Sequence, residues 1–514
     1  FFIQEGFITT DGVSYVLAGK NLITSGKYEV FGNPQLVFSP GYPILVGIAD
    51  YFFNDLVFSA RFVSFVAGFL AVYLFYLIGK QLHSKKVGLF ASALAAIHYV
   101  LVIISAETLS ESLGLLFILI SLYLYFRLVD NYKNWLAMLL GCSIGYLYLI
   151  RSEGILLLAL PVVFLLINIK KAKIKKSLKG FSLIIIFFLI IVAPYFYFLY
   201  QNTGKLIYNG KTTPNLIVSK ILNGKDFGNM SETEYNTYEK TFSHYDEKTN
   251  SIKLPEEFSD INLASYIIDD LAKFFQIFLK GASSETRVLS DTYWLAVFLI
   301  PILLFVLFII TKKFKPDEKV FVLFLLLFLF LSIFPIFHIE SRYLLQPFIF
   351  IIFLSSLGCF LDDKMILSRK YISELIKMFF LSLKLSIFVF VFIFSTYYLF
   401  FNSNDHINRH KIAAEYIKNN SKINYENIII MSRKPEVAFY AQSKKSVPVP
   451  YTNIENVLKF AKANKVNYIV IDEKFLNIRD NYDELENLDK HSNQVELVFE
   501  DNSISLIKVF EVLY

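Results

Sequence analysis

From Leu56 to Phe401 the sequence returns again and again to apolar stretches of roughly 17–25 residues, the length that carries a helix across a bilayer's hydrocarbon core. They lie near Leu56 to Gly79, Val87 to Ile104, Ser112 to Val129, Trp135 to Ile150, Gly154 to Ile169, Phe181 to Tyr200, Thr292 to Ile310, Val320 to Phe337, Tyr343 to Leu361 and Met378 to Phe401. Backbone polar groups in lipid must find partners within their own segment, so these runs predict a mostly α, polytopic transmembrane helix bundle. Composition agrees: 55% hydrophobic against 18% charged residues excludes an ordinary soluble enzyme. The net charge of +6 does not argue for nucleic acid, because Lys and Arg cluster in the connectors between apolar runs. Cys142 and Cys359 both sit inside such runs, without the spacing of a disulfide framework or a zinc site.

Basic residues in the connectors give an orientation. One alternating set holds Lys80, Lys85 and Lys86; Arg127 and Lys133; six lysines from Lys170 to Lys179; Lys312, Lys313, Lys315 and Lys319; and Lys364, Arg369, Lys370 and Lys377. That set is expected in the cytoplasm of a cell whose plasma membrane the chain crosses many times. The opposite set is then extracytoplasmic and collects Asp11, Glu107, Glu111, Arg151, Glu153, His338, Glu340 and Arg342 at one face, where an active site is expected. An even number of spans returns the chain to its starting side. The chain begins with Phe, and a further spanning helix is expected ahead of residue 1.

Three parts are predicted. Residues 1–56 form a first external loop carrying Asp11, residues 57–401 the transmembrane part with an external loop at 201–291, and residues 402–514 a small soluble α/β domain on the same side. Within the long loop, Ile261 to Leu279 reads as an amphipathic helix lying in the interface plane. In the last part, helical patterns at Lys411 to Lys418 and Ile454 to Ala463 alternate with strand patterns at Asn427 to Met431, Tyr468 to Asp472, Val495 to Glu500 and Ser505 to Phe510. Ser432-Arg433-Lys434-Pro435 follows the first strand where a glycine-rich phosphate loop would stand, so nucleotide binding is not expected.

The polar residues admit two readings. Asp11 before Gly12 suits a turn or a helix N-cap as well as a catalytic carboxylate. Arg151 with Glu153, and Glu340 with Arg342, could close helix ends as structural pairs or meet an anionic substrate. Glu107 and Glu111 sit four apart where a span begins, a position that favours negative charge in any case. Arg61 either snorkels outward or reaches into a cavity, and His98 reads as a satisfied core histidine.

The order of motifs resembles the GT-C glycosyltransferases of the family that includes protein O-mannosyltransferases and the lipid A aminoarabinose transferase. The matching pieces are Asp11-Gly12-Val13-Ser14-Tyr15-Val16-Leu17-Ala18, Ser39-Pro40-Gly41-Tyr42-Pro43, Ala60-Arg61, Leu109-Ser110-Glu111, Leu149-Ile150-Arg151-Ser152-Glu153 and Glu340-Ser341-Arg342-Tyr343. The resemblance implies transfer of a sugar from a polyprenyl-phosphate carrier to a hydroxyl of a glycan, lipid or protein acceptor, by single displacement with inversion. It implies Asp11 as the first-loop carboxylate and Arg151 and Arg342 beside the donor phosphate, with Tyr15, Tyr42, Arg61, Glu107, Glu111, Glu153, Glu340 and Tyr343 around the substrates. Phosphate leaves without a proton, so one carboxylate base suffices, where glycoside hydrolases use two. Many members carry two adjacent acids where this chain has Asp11-Gly12, which leaves a divalent metal ion open. The Trp-Trp-Asp motif of the related oligosaccharyltransferases is absent, Trp135 and Trp294 being the only tryptophans. A transporter or flippase of lipid-linked sugars is the alternative; such proteins gather charge near the bilayer midplane rather than at one face.

Overall fold

The computed structural model describes residues 8–170, 174–223, 225, 230–258, 266, 271–311, 316–336, 340–360, 370–401, 409–472, 479, 485, 488–491, 493–501 and 507–513. The chain opens with α1 (Thr10–Ser25), a short hairpin of β1 (Glu29–Val30) and β2 (Asn33–Pro34), and α2 (Gly41–Phe53). Then come α3 (Leu56–Leu82), α4 (Lys85–Ile97), α5 (Tyr99–Ile104), α6 (Glu111–Asp130), α7 (Asn134–Ile150), α8 (Ala159–Lys170) and α9 (Ile174–Thr203). A polar stretch holds α10 (Thr212–Leu222), α11 (Glu232–Phe242) and the hairpin β3 (Tyr245–Asp246) with β4 (Ser251–Ile252). The bundle resumes with α12 (Leu271–Tyr293), α13 (Leu295–Ile310), α14 (Glu318–Ile333), α15 (Leu345–Cys359) and α16 (Lys370–Phe401).

Six helical segments among the described residues are long and apolar enough to cross a membrane, and the bent pair α12 and α13 makes a seventh if taken as one span. The protein is a multi-pass membrane protein. Fewer straight spans appear than the ten apolar runs suggest, because several runs are broken. The run from Val87 divides at His98, whose backbone is extended (φ −70°, ψ 121°). The amide freed there, Tyr99 N–H, donates to Ser395 Oγ at 3.0 Å. The run from Thr292 turns through 104° at Trp294, which takes a left-handed conformation (φ 53°). The run from Gly154 begins as a 3₁₀ turn, Ser152–Leu158, before α8. Such breaks are tolerated in lipid where neighbouring elements satisfy the freed backbone groups. Hydropathy reports apolar length and is blind to them.

Most of the first half of the amphipathic helix expected over Ile261 to Leu279 lies outside the described residues. α12 starts at Leu271, and 259–265 and 267–270 lie outside the described residues. Its Leu271, Phe275 and Leu279 form an exposed apolar stripe, while Ile277, Val288 and Tyr293 are buried against the bundle. The opening segment is also more ordered than a loop. Thr9 caps α1, its side chain accepting from Gly12 N–H at 3.0 Å, which puts Asp11 in the first helical turn rather than at the cap. α1 lies tightly on α2 through two glycines: a Cβ at Gly19 would stand 2.2 Å from Pro43 O, and one at Gly47 2.2 Å from Gly19 O.

The terminal part adds α17 (Arg409–Asn420), β5 (Ile429–Ser432), α18 (Glu436–Tyr440), β6 (Lys445–Val447), α19 (Ile454–Ala463), β7 (Tyr468–Asp472), β8 (Val495–Asp501) and β9 (Ile507–Val512). They make one sheet in the order β6-β5-β7-β9-β8. β5 pairs in parallel with β6 and β7, and β9 runs antiparallel to β7 and β8. Every residue of β7 is buried, which suits its place at the centre. β6 and α18 are too short to leave a periodic signal and are new with the structure.

Gly19→Val is expected to force α1 from α2 and cost about 1–3 kcal/mol. The check is a lowered thermal unfolding midpoint of the purified protein in detergent.

Candidate active site

Three helix ends meet at the Asp11 end of the bundle. α6 starts at Glu111, α7 stops at Arg151, whose extended backbone (φ −144°, ψ 121°) turns the chain into the 3₁₀ segment, and a second 3₁₀ turn, Ser341–Leu344, leads into α15. Together with α1 they line up an alternating row of charges. Glu153 Oε1 accepts from Arg151 Nη2 at 3.0 Å, and Arg151 Nη1 donates to Glu111 Oε1 at 2.8 Å. Glu111 Oε1 lies 3.8 Å from Arg342 Nε, and Arg342 Nη1 donates to Asp11 Oδ2 at 2.8 Å. Arg342 Nε also donates to Glu340. The row is closed in its middle and more open at both ends: the side chains of Glu111 and Arg151 are 4% and 9% exposed, those of Glu153, Asp11 and Arg342 24%, 23% and 26%.

A second grouping crosses the first at Tyr343. Its buried ring has the Arg151 guanidinium carbon 5.2 Å from its centroid, that of Arg342 at 5.4 Å and Lys211 Nζ at 5.5 Å. Lys211 Nζ also approaches the Tyr343 hydroxyl at 3.4 Å. Ring faces attract cations, but three cations round one ring repel each other and leave the place suited to an anion. Burial opposes the charge on Lys211, and Tyr343 and Asp11 more than offset it, holding the ammonium above its ordinary range. Among the described residues Lys211 has no carboxylate partner within ion-pair distance.

Two cavities flank this row. The first, of about 310 Å³, is lined by Tyr15, Arg151, Glu153, Lys211 and Tyr343 with an apolar floor that includes Ile333 and Phe334. The second, of about 590 Å³, has Glu107, Glu340 and Arg342 at its head and Tyr99, Ile103 and Val288 among its walls. Both lie in the size range of ligand sites. Glu107 sits in the turn before α6, so it does not share a helical face with Glu111 as the spacing suggested. Burial, then the charge of Glu111, lifts its carboxyl to about 7 against the pull of Arg342 and Arg61.

The other expected positions are as follows. Tyr15 is buried with its hydroxyl 3.2 Å from Ser110 Oγ. Tyr42 is fully buried and donates to Ala60 O at 2.9 Å, so it serves the packing of α2 on α3 and lines neither cavity described here. Arg61 is buried in α3 near Glu107 and Tyr440. His338 lies outside the described residues. Lys211 escaped the sequence reading. Its signal is the turn Asn209-Gly210 ahead of α10: Asn209 Oδ1 accepts from the amides of Lys211 and Thr212, both at 2.8 Å, which fixes the lysine at the helix start.

A metal ion finds little purchase. Among the described residues no group of three His, Cys, Asp or Glu side chains is arranged to hold one. Asp11, Glu111, Glu153 and Glu340 each meet an arginine already. A second acid in place of Gly12 has no room, since a Cβ there would stand 2.4 Å from Thr108 Oγ1.

Glu107 is expected to titrate near neutrality. Because its carboxyl is raised above the usual 4.5, the folded state binds the proton more tightly than the unfolded state, and this group's contribution to stability falls as pH rises from about 4.5 to 7. Difference infrared spectra of the protein across this range are expected to contain a protonated-carboxyl band that vanishes above about pH 7 and is missing from Glu107→Gln.

The profile of the dolichyl-phosphate-mannose-protein mannosyltransferase family matches residues 38–198. No curated protein matches the chain by sequence. Among solved structures, ArnT from Cupriavidus metallidurans bound to undecaprenyl phosphate aligns over 98% of this chain and 94% of its own, with a TM-score of 0.56 at 10% identity. The Archaeoglobus fulgidus oligosaccharyltransferase in complex with Zn and sulfate aligns over 91% of this chain and 64% of its own, with a TM-score of 0.56 at 14% identity. The archaeal oligosaccharyltransferase AglB from the same organism, in complex with an inhibitory peptide and a dolichol-phosphate, aligns over 91% and 66%, with a TM-score of 0.51 at 12% identity. The fold is that of the GT-C glycosyltransferases.

Proposed function

We propose that the protein is an integral-membrane glycosyltransferase that moves a sugar from a polyprenyl-phosphate carrier to an acceptor hydroxyl at the outer face of the membrane. The observation that carries this reading is the convergence of Arg151, Lys211 and Arg342 on the Tyr343 ring, one ion pair away from Asp11. The fold supports it, and so do the ligands of the neighbours, undecaprenyl phosphate in ArnT and dolichol-phosphate in AglB. The alternating basic connectors support an extracytoplasmic site.

In this reading the phosphate of the donor occupies the first cavity, where Arg151 and Lys211 meet it and Glu153 holds Arg151 in place. The second cavity receives the acceptor. Its head carries Glu107 and Glu340 against Arg342 alone, a balance that discourages phosphate and suits hydroxyl groups. The acceptor oxygen attacks the anomeric carbon as the bond from that carbon to the phosphate oxygen breaks. Asp11 takes the acceptor's proton, and the phosphate departs with the bonding pair onto the cations. Arg342 now holds Asp11 from beside the Tyr343 ring, which lines the first cavity, and a phosphate settling in that cavity draws on the same guanidinium and releases the carboxylate. Asp11, Glu111, Glu153 and Glu340 are each committed to an arginine, and no step is assigned to a metal ion.

The test compares purified full-length protein with single variants, using labelled sugar on synthetic polyprenyl-phosphate donors and a membrane extract as acceptor. Asp11→Asn is expected to lose transfer by at least about 10²-fold while still binding donor. Lys211→Ala is expected to weaken donor binding about tenfold or more, as loss of a charge-assisted contact to phosphate does. Unchanged transfer in Asp11→Asn would move the base to another carboxylate. Donor binding without transfer in the unaltered protein would favour a transporter.

A further inference from the structure

We infer that Glu436, in the terminal α/β domain, is a positioning residue for Asp11, so that this domain forms part of the active site. The inference rests on the proposed transferase reading and goes beyond it, since nothing in that reading needs the terminal domain.

The sheet order places β5 next to both β6 and β7, with the crossover from β5 going one way and β7 lying on the other side. In open α/β sheets, the crevice beyond the carboxyl ends of strands at such a switch point is where ligands usually bind. Here the segment leaving the carboxyl end of β5, from Ser432 to α18, is turned onto α1. Thr10 Oγ1 donates to Glu436 Oε1 at 2.7 Å, and Ile8 N–H donates to the Tyr440 hydroxyl at 3.0 Å. Thr10 adjoins Asp11 in the first turn of α1, so these contacts fix the backbone that aims the carboxylate. The domain's usual ligand crevice takes the membrane part's own catalytic helix.

A fold-stabilising role alone does not explain the choice of residue. Glu436 is 3% exposed, and its Oε2 is buried without a hydrogen-bond partner. A buried carboxylate with one oxygen unmet is unfavourable, and an apolar side chain of similar size would be the more stable filler. The carboxylate balances the charge of the neighbouring Lys434, and Lys434 alone would not aim it at α1; what it supplies there is a strong, directed acceptor for the Thr10 hydroxyl. A second contact on the same domain ties down the loop that carries Lys211. Glu239 of α11 accepts from Arg433 Nη2 at 2.7 Å and from Arg479 Nη2 at 2.8 Å. Burial works against the Glu239 charge, but the two guanidiniums outweigh it and keep its carboxyl below the usual range. The domain thus grips the chain next to the proposed base and, through α11, the segment bearing the proposed phosphate lysine.

The experiment measures kcat for transfer and Kd for donor in nanodiscs, using the full chain and a polyprenyl-phosphate sugar that the unaltered protein turns over. Glu436→Ala and Thr10→Val are each expected to lower kcat about tenfold with donor Kd unchanged. The double variant is expected to be no slower than the worse single one, because both remove the same contact. Glu436→Gln, which keeps an acceptor oxygen, is expected to retain most of the rate. Unchanged kcat in Glu436→Ala, losses that multiply in the double variant, or a parallel loss of donor binding would each overturn the inference and leave the transferase reading standing. Donor bound but never transferred by the unaltered protein would instead remove that reading and this inference with it.

Discussion

The row Glu153, Arg151, Glu111, Arg342, Asp11 is the interaction on which this end of the protein depends. Each charge in it is buried or half-buried, and each is tolerable only because the next has opposite sign. Removing one partner of a buried pair leaves an uncompensated charge at a cost of about 3–5 kcal/mol, so the row behaves as a unit. Its members come from α1, the start of α6, the end of α7, the following 3₁₀ turn and the turn that precedes α15. Four stretches far apart in sequence, since the end of α7 runs straight into the 3₁₀ turn, are thereby held in register by charge as well as by apolar packing, which in lipid offers little preference for one arrangement of helices over another.

The broken helices gather where this row needs them. A continuous helix through Arg151 would aim its side chain by helical geometry alone, whereas the extended backbone there sends it over Gly114 of α6. A Cβ on that glycine would stand 3.0 Å from the Arg151 stem. The break at His98 frees α5 to wall the second cavity, and the bend at Trp294 ends α12 where its Val288 and Thr292 line the same cavity. Interrupted apolar runs are the means by which a bundle of hydrophobic helices acquires a polar, hollow end.

How much of this was legible follows from the range of each interaction. Bilayer-length runs, the strands at Tyr468 and Val495 and the charges at one end are local or periodic patterns; the strands stand near where they were expected, the described charges other than His338 do gather, and the runs survive except where three of them break. The break at His98 is not local: it depends on Ser395, almost three hundred positions away. Lys211 stood in a polar loop with nothing in its neighbourhood to tie it to Tyr343, and only tertiary structure brings the two together. Gly12 was legible as a departure from the two-acid pattern but not as a necessity. Its smallness is required by Thr108, distant in sequence, whose Oγ1 would stand 2.4 Å from a Cβ there.

The charge balance of the site argues for one further step. Counting the terminal domain's contribution, Arg61, Arg151, Lys211, Arg342 and Lys434 stand among Asp11, Glu111, Glu153, Glu340 and Glu436, five against five, with Glu107 the odd carboxylate. Were Glu107 fully ionised, the empty site would be net negative and would resist an arriving phosphodiester. Burial and the nearness of Glu111 keep its proton on to about pH 7, so the site is close to neutral when empty and can admit one negative charge. On the proposed reaction the phosphate gains a second charge as it leaves, at the moment Asp11 loses its own by taking the acceptor's proton. The total is therefore conserved through the transfer, and the row of ion pairs need not rearrange to accommodate it.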